Sequence, residues 1–530
     1  MNHLPARPRT LLRRRTLLRP WTLVRPRAPD ATPTRRVYTT AAPQSPPGSD
    51  RPLRLAVIGA GPAGFYTSYR VLGRLSNARV DMYESLPVPY GLVRYGVAPD
   101  HKSIKSIAEY LRGVLEHDGV RFLGGVHLGD DVTRDDLLAS YDAVVYATGA
   151  MRDRHLGIPG EDLPGSVAAT DFVNWYCGHP DVDPAAYTLD AESVAVIGVG
   201  NVAVDVARIL IRDPEELRET DVSQPVLDAL MASKVREVHM IGRRGPAQAK
   251  FTTKELRELG ELAGVDVVVG DGEADLDAFD PTGESARLAQ SDRHVRGNYT
   301  VISGWAGRPA AGTGRRLTVR FWLRPVEIQG PERVSGLTLE RTRLDETGAF
   351  TGTGQLETLP VQMVLRSVGY QSVPLPGVPF DERSSVVPNA EGRVLGPDGQ
   401  PLPGEYVAGW LKRGPTGVIG TNKSDAAQTV RSLLADLAGG PGPGDVQVPR
   451  AGLLRLPEPD PAAAAAEGGQ SAFEQLLAAR DIRPVSYDDW LRIETAEREL
   501  AARLSRGARV KLASRDELYQ ACGMVPRQSP

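Results

Sequence analysis

The sequence predicts an α/β fold with two doubly wound sheets, the second inserted into the first. Three observations lead there: a strand that runs into a glycine turn and a helix occurs twice, the two copies end their next strands in opposite charge, and strand-plus-glycine segments return the chain between them. The expected organisation is an Arg-rich extension over 1–50, a first domain over 51–150, an inserted domain over 151–364, and completion of the first domain over 365–530. Composition agrees. The 530 residues carry 63 Lys plus Arg, 66 Asp plus Glu and two cysteines, enough chain for two to four domains at about 100–200 residues each. Two cysteines are too few for a disulfide framework, a four-Cys zinc site or a Cys-ligated cluster. A net charge of −3 gives no global case for nucleic acid, and no apolar run approaches the ~18 residues of a membrane span.

Leu53–Gly59 is an apolar strand entering Gly59-Ala60-Gly61-Pro62-Ala63-Gly64, with a helical pattern after it. Gly59 permits the tight turn, Gly61 lets a pyrophosphate approach the backbone, and Gly64 lets helix and strand pack closely. The next strand ends at Glu84, placed to bind ribose hydroxyls. In the second copy, strand Ser193–Ile197 enters Gly198-Val199-Gly200-Asn201-Val202-Ala203. Its following strand ends in Gly242-Arg243-Arg244. A carboxylate there would repel a 2′-phosphate and two guanidiniums would hold it. The first site therefore reads as FAD and the second as NADP(H). Residues 405–410 and the loop Gly414–Asn422 repeat the strand, glycine and helix-start arrangement, which sets N–H donors beside a flavin ring.

The 88–101 block, Val-Pro-Tyr-Gly-Leu-Val-Arg-Tyr-Gly-Val-Ala-Pro-Asp-His, closely resembles mitochondrial adrenodoxin reductase and the bacterial ferredoxin–NADP reductases. So do 200–208, 242–246, 251–258, 409–419 and, in the tail, 483–487 and 509–512. Lys102 after His101 and Ala247 after Pro246 depart from the family pattern. The resemblance implies a glutathione-reductase-like fold and an oxidoreductase that passes electrons from NADPH through FAD, one at a time, to a ferredoxin or adrenodoxin-type iron–sulfur protein. It places FAD against Ala63, Glu84, Leu92, Val126, Trp410 and Gly417, Val418 and Ile419. It places NADP on Val199 to Val202, Arg243, Arg244, Glu255 and Gly417. His101 and Glu258 become candidates for organising the nicotinamide and proton pathways, and Arg257 for docking an acidic partner.

The residues alone leave alternatives open. His101 could be a loop histidine, Trp410 a core aromatic, and Glu255 and Glu258 a solvated helix face at i, i+3 spacing. Arg287, Arg293 and Arg296 read better as solvated surface than as a second docking patch. A different NADPH-dependent flavoenzyme (a monooxygenase or diaphorase) or a non-enzymatic NADP(H) sensor would share the fold, while a disulfide reductase would need a redox cysteine pair. Residues 1–50 hold ten arginines, no lysine and two aspartates. They read as a non-functional or wrongly assigned leader reflecting Arg-rich codon usage on a cytoplasmic bacterial protein, or as a presequence for the mitochondrial matrix. A twin-arginine export signal at Arg14-Arg15 lacks the uninterrupted apolar run that should follow it. Residues 438–470 read as a loop or tether, and 471–505 as helical.

Overall fold

The computed structural model describes residues 52–309, 311–438 and 472–525. The expected extension over 1–50 and nearly all of the expected tether over 438–470 lie outside the described residues. Two parallel sheets dominate. In the first, strands run in the order Asn389–Ala390, Arg393–Leu395, Pro401–Val407, Ala143–Tyr146, Arg54–Ile58, Arg79–Glu84, Val120–Gly124. The last five are mutually parallel, and the first two pair antiparallel at the edge. Buried on both faces, Leu55, Ala56 and Val57 form the near-continuous apolar run expected of a central parallel strand.

The second sheet takes the order Ser166–Ala168, Met363–Arg366, Ser193–Ile197, Glu237–Ile241, Arg316–Arg320, Asp266–Val269, and every pair in it is parallel. All of its strands come from the chain between the two groups that build the first sheet. Met363–Arg366 straddles the expected boundary at 364 and belongs whole to this sheet. The chain passes between sheets through Arg152–Asp153 and Tyr370–Gln371, which pair antiparallel. A three-stranded antiparallel meander, Leu323–Gln329, Gly336–Leu344 and Phe350–Leu359, stands apart from both sheets.

The helical expectation over 471–505 resolves into two helices, Ala472–Ala479 and Tyr487–Arg503. Between them Pro484 removes a donor, and Val485 instead exchanges two backbone hydrogen bonds with Gly124 (2.9 and 2.8 Å). Ser486 and Asp489 form a capping box that restarts the helix. That helix braces the first sheet's glycine-turn region. Trp490 is fully buried and meets Tyr90 edge-on at 6.0 Å. Glu497 pairs with Arg94, and Glu494 with Arg112 at 2.6 Å. No helix among the described residues is long and apolar enough to cross a membrane.

Candidate active site

At the first turn Gly59 takes φ +109, and a Cβ there would stand 2.6 Å from Ala147 O. A Cβ on Gly64 would lie 2.0 Å from Gly59 O, so helix and turn meet backbone to backbone. Gly61 differs. A Cβ there would meet nothing within 4 Å, so its bareness serves whatever approaches from outside the protein. The helix Pro62–Leu72 has no side-chain cap, which leaves its first N–H groups to a phosphate. Gly91, at φ +47, closes the other side: its Cβ would stand 3.0 Å from Gly61 Cα. Tyr90 before it takes φ +87, a conformation uncommon for a bulky residue. It is held by its own N–H to Ala60 O (2.8 Å) and by stacking on Phe65. These bonds bring Leu92, which opens the next short helix, to the same turn.

Glu84 ends the second strand. Its carboxylate accepts from Ala60 N (3.0 Å) and Leu86 N (3.2 Å). Burial raises its pKa from the ordinary carboxylate range against those hydrogen bonds. Val126 is buried beside it, with its N–H on Glu84 O (2.9 Å). Ala63 meets Gly409, where a Cβ would stand 2.6 Å from the Ala63 methyl. Trp410 follows, half-buried and 5.4 Å from Tyr370 between ring centres. Gly409 N donates to Asp425 (2.5 Å), and Lys412 reaches the same carboxylate at 3.2 Å. Asp425 thus ties this strand end to the helix Asn422–Leu437. Gly417 at φ +81, exposed Val418 and the 3-10 turn Ile419–Thr421 form the loop before that helix.

The second turn repeats the first. Gly198 sits at φ +142 with a Cβ position 2.3 Å from Ser367 O, while a Cβ on Gly200 would meet nothing within 4 Å. Val199 O accepts from Lys250 N (3.0 Å), and Asn201 Oδ1 from Thr252 N (2.8 Å). Thr252 caps the helix Thr253–Gly260 and bonds Glu255 at 3.0 Å, so Asn201 and Glu255 share Thr252 as a partner. Val202 lies one residue into the helix begun by Asn201. At the strand end, neither Arg243 nor Arg244 pairs with a carboxylate among the described residues. Burial, with Arg244 beside it, lowers the Arg243 pKa, the signature of a cation short of counter-charge.

His101 and Glu258 meet where elements of the two sheets face each other. His101 Nδ1 stands 3.6 Å from Glu258 Oε2, and its Nε2 lies 2.8 Å from Asp205 Oδ1. Arg208 also donates to Asp205 (2.8 Å) and binds Asp100 through Nε at 2.6 Å. Burial lowers the His101 pKa, but the Asp205 hydrogen bond and charge outweigh it and the net shift is upward. Burial with the charge of Asp205 raises Glu255. An open cleft of about 350 Å³ lined by Asp100, His101, Arg208, Arg212 and Glu258 gives this cluster access to solvent. Arg257, on the same helix as Glu258, points outward and is exposed. Asp205 and Arg208 escaped sequence reasoning as participants. Their i, i+3 spacing inside the 200–208 motif was the available signal.

Two glycine turns at helix starts, one acid-tipped and one arginine-tipped, with a histidine–carboxylate cluster where their sheets face each other, define an FAD- and NADP(H)-type oxidoreductase of the two-dinucleotide-fold class. A family model described as Pyridine nucleotide-disulphide oxidoreductase matches residues 53–283. NADPH-ferredoxin reductase FprA of Mycobacterium tuberculosis is 43% identical over 479 residues, 89% of this chain and 99% of that one. The mitochondrial NADPH:adrenodoxin oxidoreductase of Mus musculus is 38% identical over 93% of this chain and 96% of that one. The solved structure of M. tuberculosis FprA in complex with NADPH superposes with TM-score 0.79 at 42% identity, covering 89% of this chain and all of that one. This chain belongs to the family of NADPH-ferredoxin and NADPH:adrenodoxin reductases. A disulfide step has no machinery here, since both cysteines, Cys177 and Cys522, are buried and unpaired.

Proposed function

We propose that this chain is an FAD-dependent NADPH:ferredoxin reductase that delivers electrons to an acidic iron–sulfur protein of the ferredoxin or adrenodoxin type. In this reading 51–150 with 365–530 hold FAD and 151–364 hold NADPH. The likeness to bacterial reductases supports a cytoplasmic setting. The observation that carries the proposal is the opposite charge at two otherwise equivalent strand ends, Glu84 against Arg243 and Arg244. FAD, when bound, converts the two-electron hydride of NADPH into single electrons.

The chain's own residues bind, orient and hold protons. Glu84 accepts from ribose hydroxyls, and the helix that starts at Pro62 turns N–H groups to the pyrophosphate. His101 Nε2 meets both Asp205 (2.8 Å) and Arg208 (2.6 Å), which leaves Nδ1 facing Glu258. Glu258, half-exposed to the cleft, can pass a proton between Nδ1 and water. No group need act on a substrate carbon. Arg257 offers charge to the partner.

The test is the absorption spectrum of the purified protein before and after NADPH under argon, followed by a ferredoxin with cytochrome c as final acceptor. A flavin band bleached by NADPH and turnover that requires ferredoxin support the proposal. A colourless protein that FAD cannot reconstitute, or bleaching as fast with NADH, refutes it. Hydroxylated product formed in step with NADPH consumption would favour the monooxygenase alternative.

A further inference from the structure

The meander is not needed to complete either sheet, yet it grips the arginine turn. It and the residue leading into it occupy all three carbonyls of Gly242-Arg243-Arg244. Leu323 N donates to Gly242 O (3.0 Å), Thr342 Oγ1 to Arg243 O (2.8 Å) and Trp322 N to Arg244 O (3.2 Å). Trp322 takes φ +59 to do so, with its side chain fully buried against Gly245, where a Cβ would come within 2.1 Å of the ring. Phe350 opens the last strand of the meander, opposite Leu344. Its ring centre lies 4.6 Å from Arg243 Cζ and 5.7 Å from Arg244 Cζ.

Two neighbouring guanidiniums without a carboxylate repel each other, and on free rotamers they would swing apart into water. A ring face within about 6 Å attracts both and limits where they go. With the backbone beneath clamped at three successive carbonyls, side chain and main chain are fixed together. We propose that Phe350 is a positioning residue for coenzyme selection. Its ring holds Arg243 and Arg244 side by side as one receptor for the 2′-phosphate of NADPH, and the meander locks the turn that carries them. This rests on the NADPH assignment of the second turn.

Calorimetric binding of 2′,5′-ADP and 5′-AMP to the FAD-loaded full chain tests it. Phe350→Leu keeps an apolar side chain without a ring face, and Phe350→Ala removes it. Both weaken 2′,5′-ADP by about three- to tenfold, leave 5′-AMP within about twofold, and raise KM for NADPH without changing kcat or NADH kinetics. Phe350→Tyr restores wild-type behaviour. Wild-type 2′,5′-ADP affinity in the Leu and Ala variants, or an equal loss of 5′-AMP, overturns the positioning role. Arg243→Ala and Arg244→Ala separate the two levels. If they lose 2′,5′-ADP while the Phe350 variants do not, only the role of Phe350 falls. If they bind it as wild type does, the NADPH reading of the pair falls, and the proposal with it.

Discussion

Replacing Lys511 with methionine removes an ammonium that joins distant parts of the chain. Lys511 Nζ donates to Arg94 O (2.8 Å) and Cys177 O (2.7 Å) and lies 3.4 Å from Asp221 Oδ2, in a fully buried site. Arg94 follows the first glycine turn, whereas Asp221 lies between strands of the second sheet, so the residue pins the two together. Lys105, 2.9 Å from Asp221, and the Tyr95 ring, 5.4 Å away, complete its surroundings. Burial brings the ammonium down to about 8 against the pull of Asp221, while it pushes Cys177 up to about 11 and Tyr95 to about 12. An unfolded lysine titrates near 10.4, so holding this one charged at pH 7 costs about 3 kcal/mol. Against that, Lys511→Met strands two buried carbonyls at about 1–3 kcal/mol each. Asp221 keeps Lys105. The net expectation at pH 7 lies between a gain of about 1 kcal/mol and a loss of about 3 kcal/mol, so the pH dependence carries the test.

Between about pH 8 and 10.4 the unfolded chain binds more protons than the folded one, so wild-type stability gains with pH from this group and the variant's does not. Urea denaturation of both proteins at pH 7 and 9.5, followed by tryptophan fluorescence, reads the difference. The gap between them widens by about 2 kcal/mol. A gap that stays constant, or narrows, refutes the account of Lys511 as a charged, buried tie.

Other perturbations follow from the same geometry. Arg243→Ala or Arg244→Ala removes a charge-assisted contact worth about 1.5–3 kcal/mol, so kcat/KM for NADPH falls about 10- to 150-fold with little change for NADH. Asp205→Asn removes the two strongest upward pulls on His101 and leaves burial and Arg208 opposed by Asp100, so its pKa falls. Histidine titration by NMR should then move to lower pH than in the wild type, and an unmoved titration refutes the role of Asp205. Gly64→Ala forces a Cβ against Gly59 O and lowers the melting temperature, whereas Gly61→Ala leaves the apoprotein's melting unchanged and reduces the flavin-to-protein ratio. Arg257→Glu raises KM for a ferredoxin and leaves ferricyanide reduction alone. Equal loss with both acceptors removes Arg257 from docking.

Much of this was legible because the chemistry is local in sequence. A strand, three glycines and a helix fall within about twenty residues, and the expected ribose reader ends the very next strand. Hence Glu84, Arg243 and Arg244 could be singled out from spacing alone. Val126 and Trp410 needed the family resemblance, because their partners, Glu84 and Tyr370, lie far from them in sequence. The meander was invisible. Its last strand carries Gly352 and Gly354 and has an exposed middle, a pattern that reads as loop. Phe350 meets Arg243 only through long-range packing. The split of the 471–505 helix was announced by Pro484 and still missed, because the apolar periodicity resumes beyond it. His101 could not be weighed from sequence, since its carboxylate partner Asp205 comes from another helix.

The antiparallel pairing of Arg152–Asp153 with Tyr370–Gln371 has an evolutionary corollary. Outgoing and returning backbones lie about 5 Å apart. Everything from Arg154 to Gly369 therefore leaves and rejoins the rest at two adjacent points, so a homologue's equivalent can be spliced in provided ties such as Lys511 to Asp221 and Asp100 to Arg208 are kept. On the proposed reading, coenzyme preference travels with that block, open to recombination as one piece.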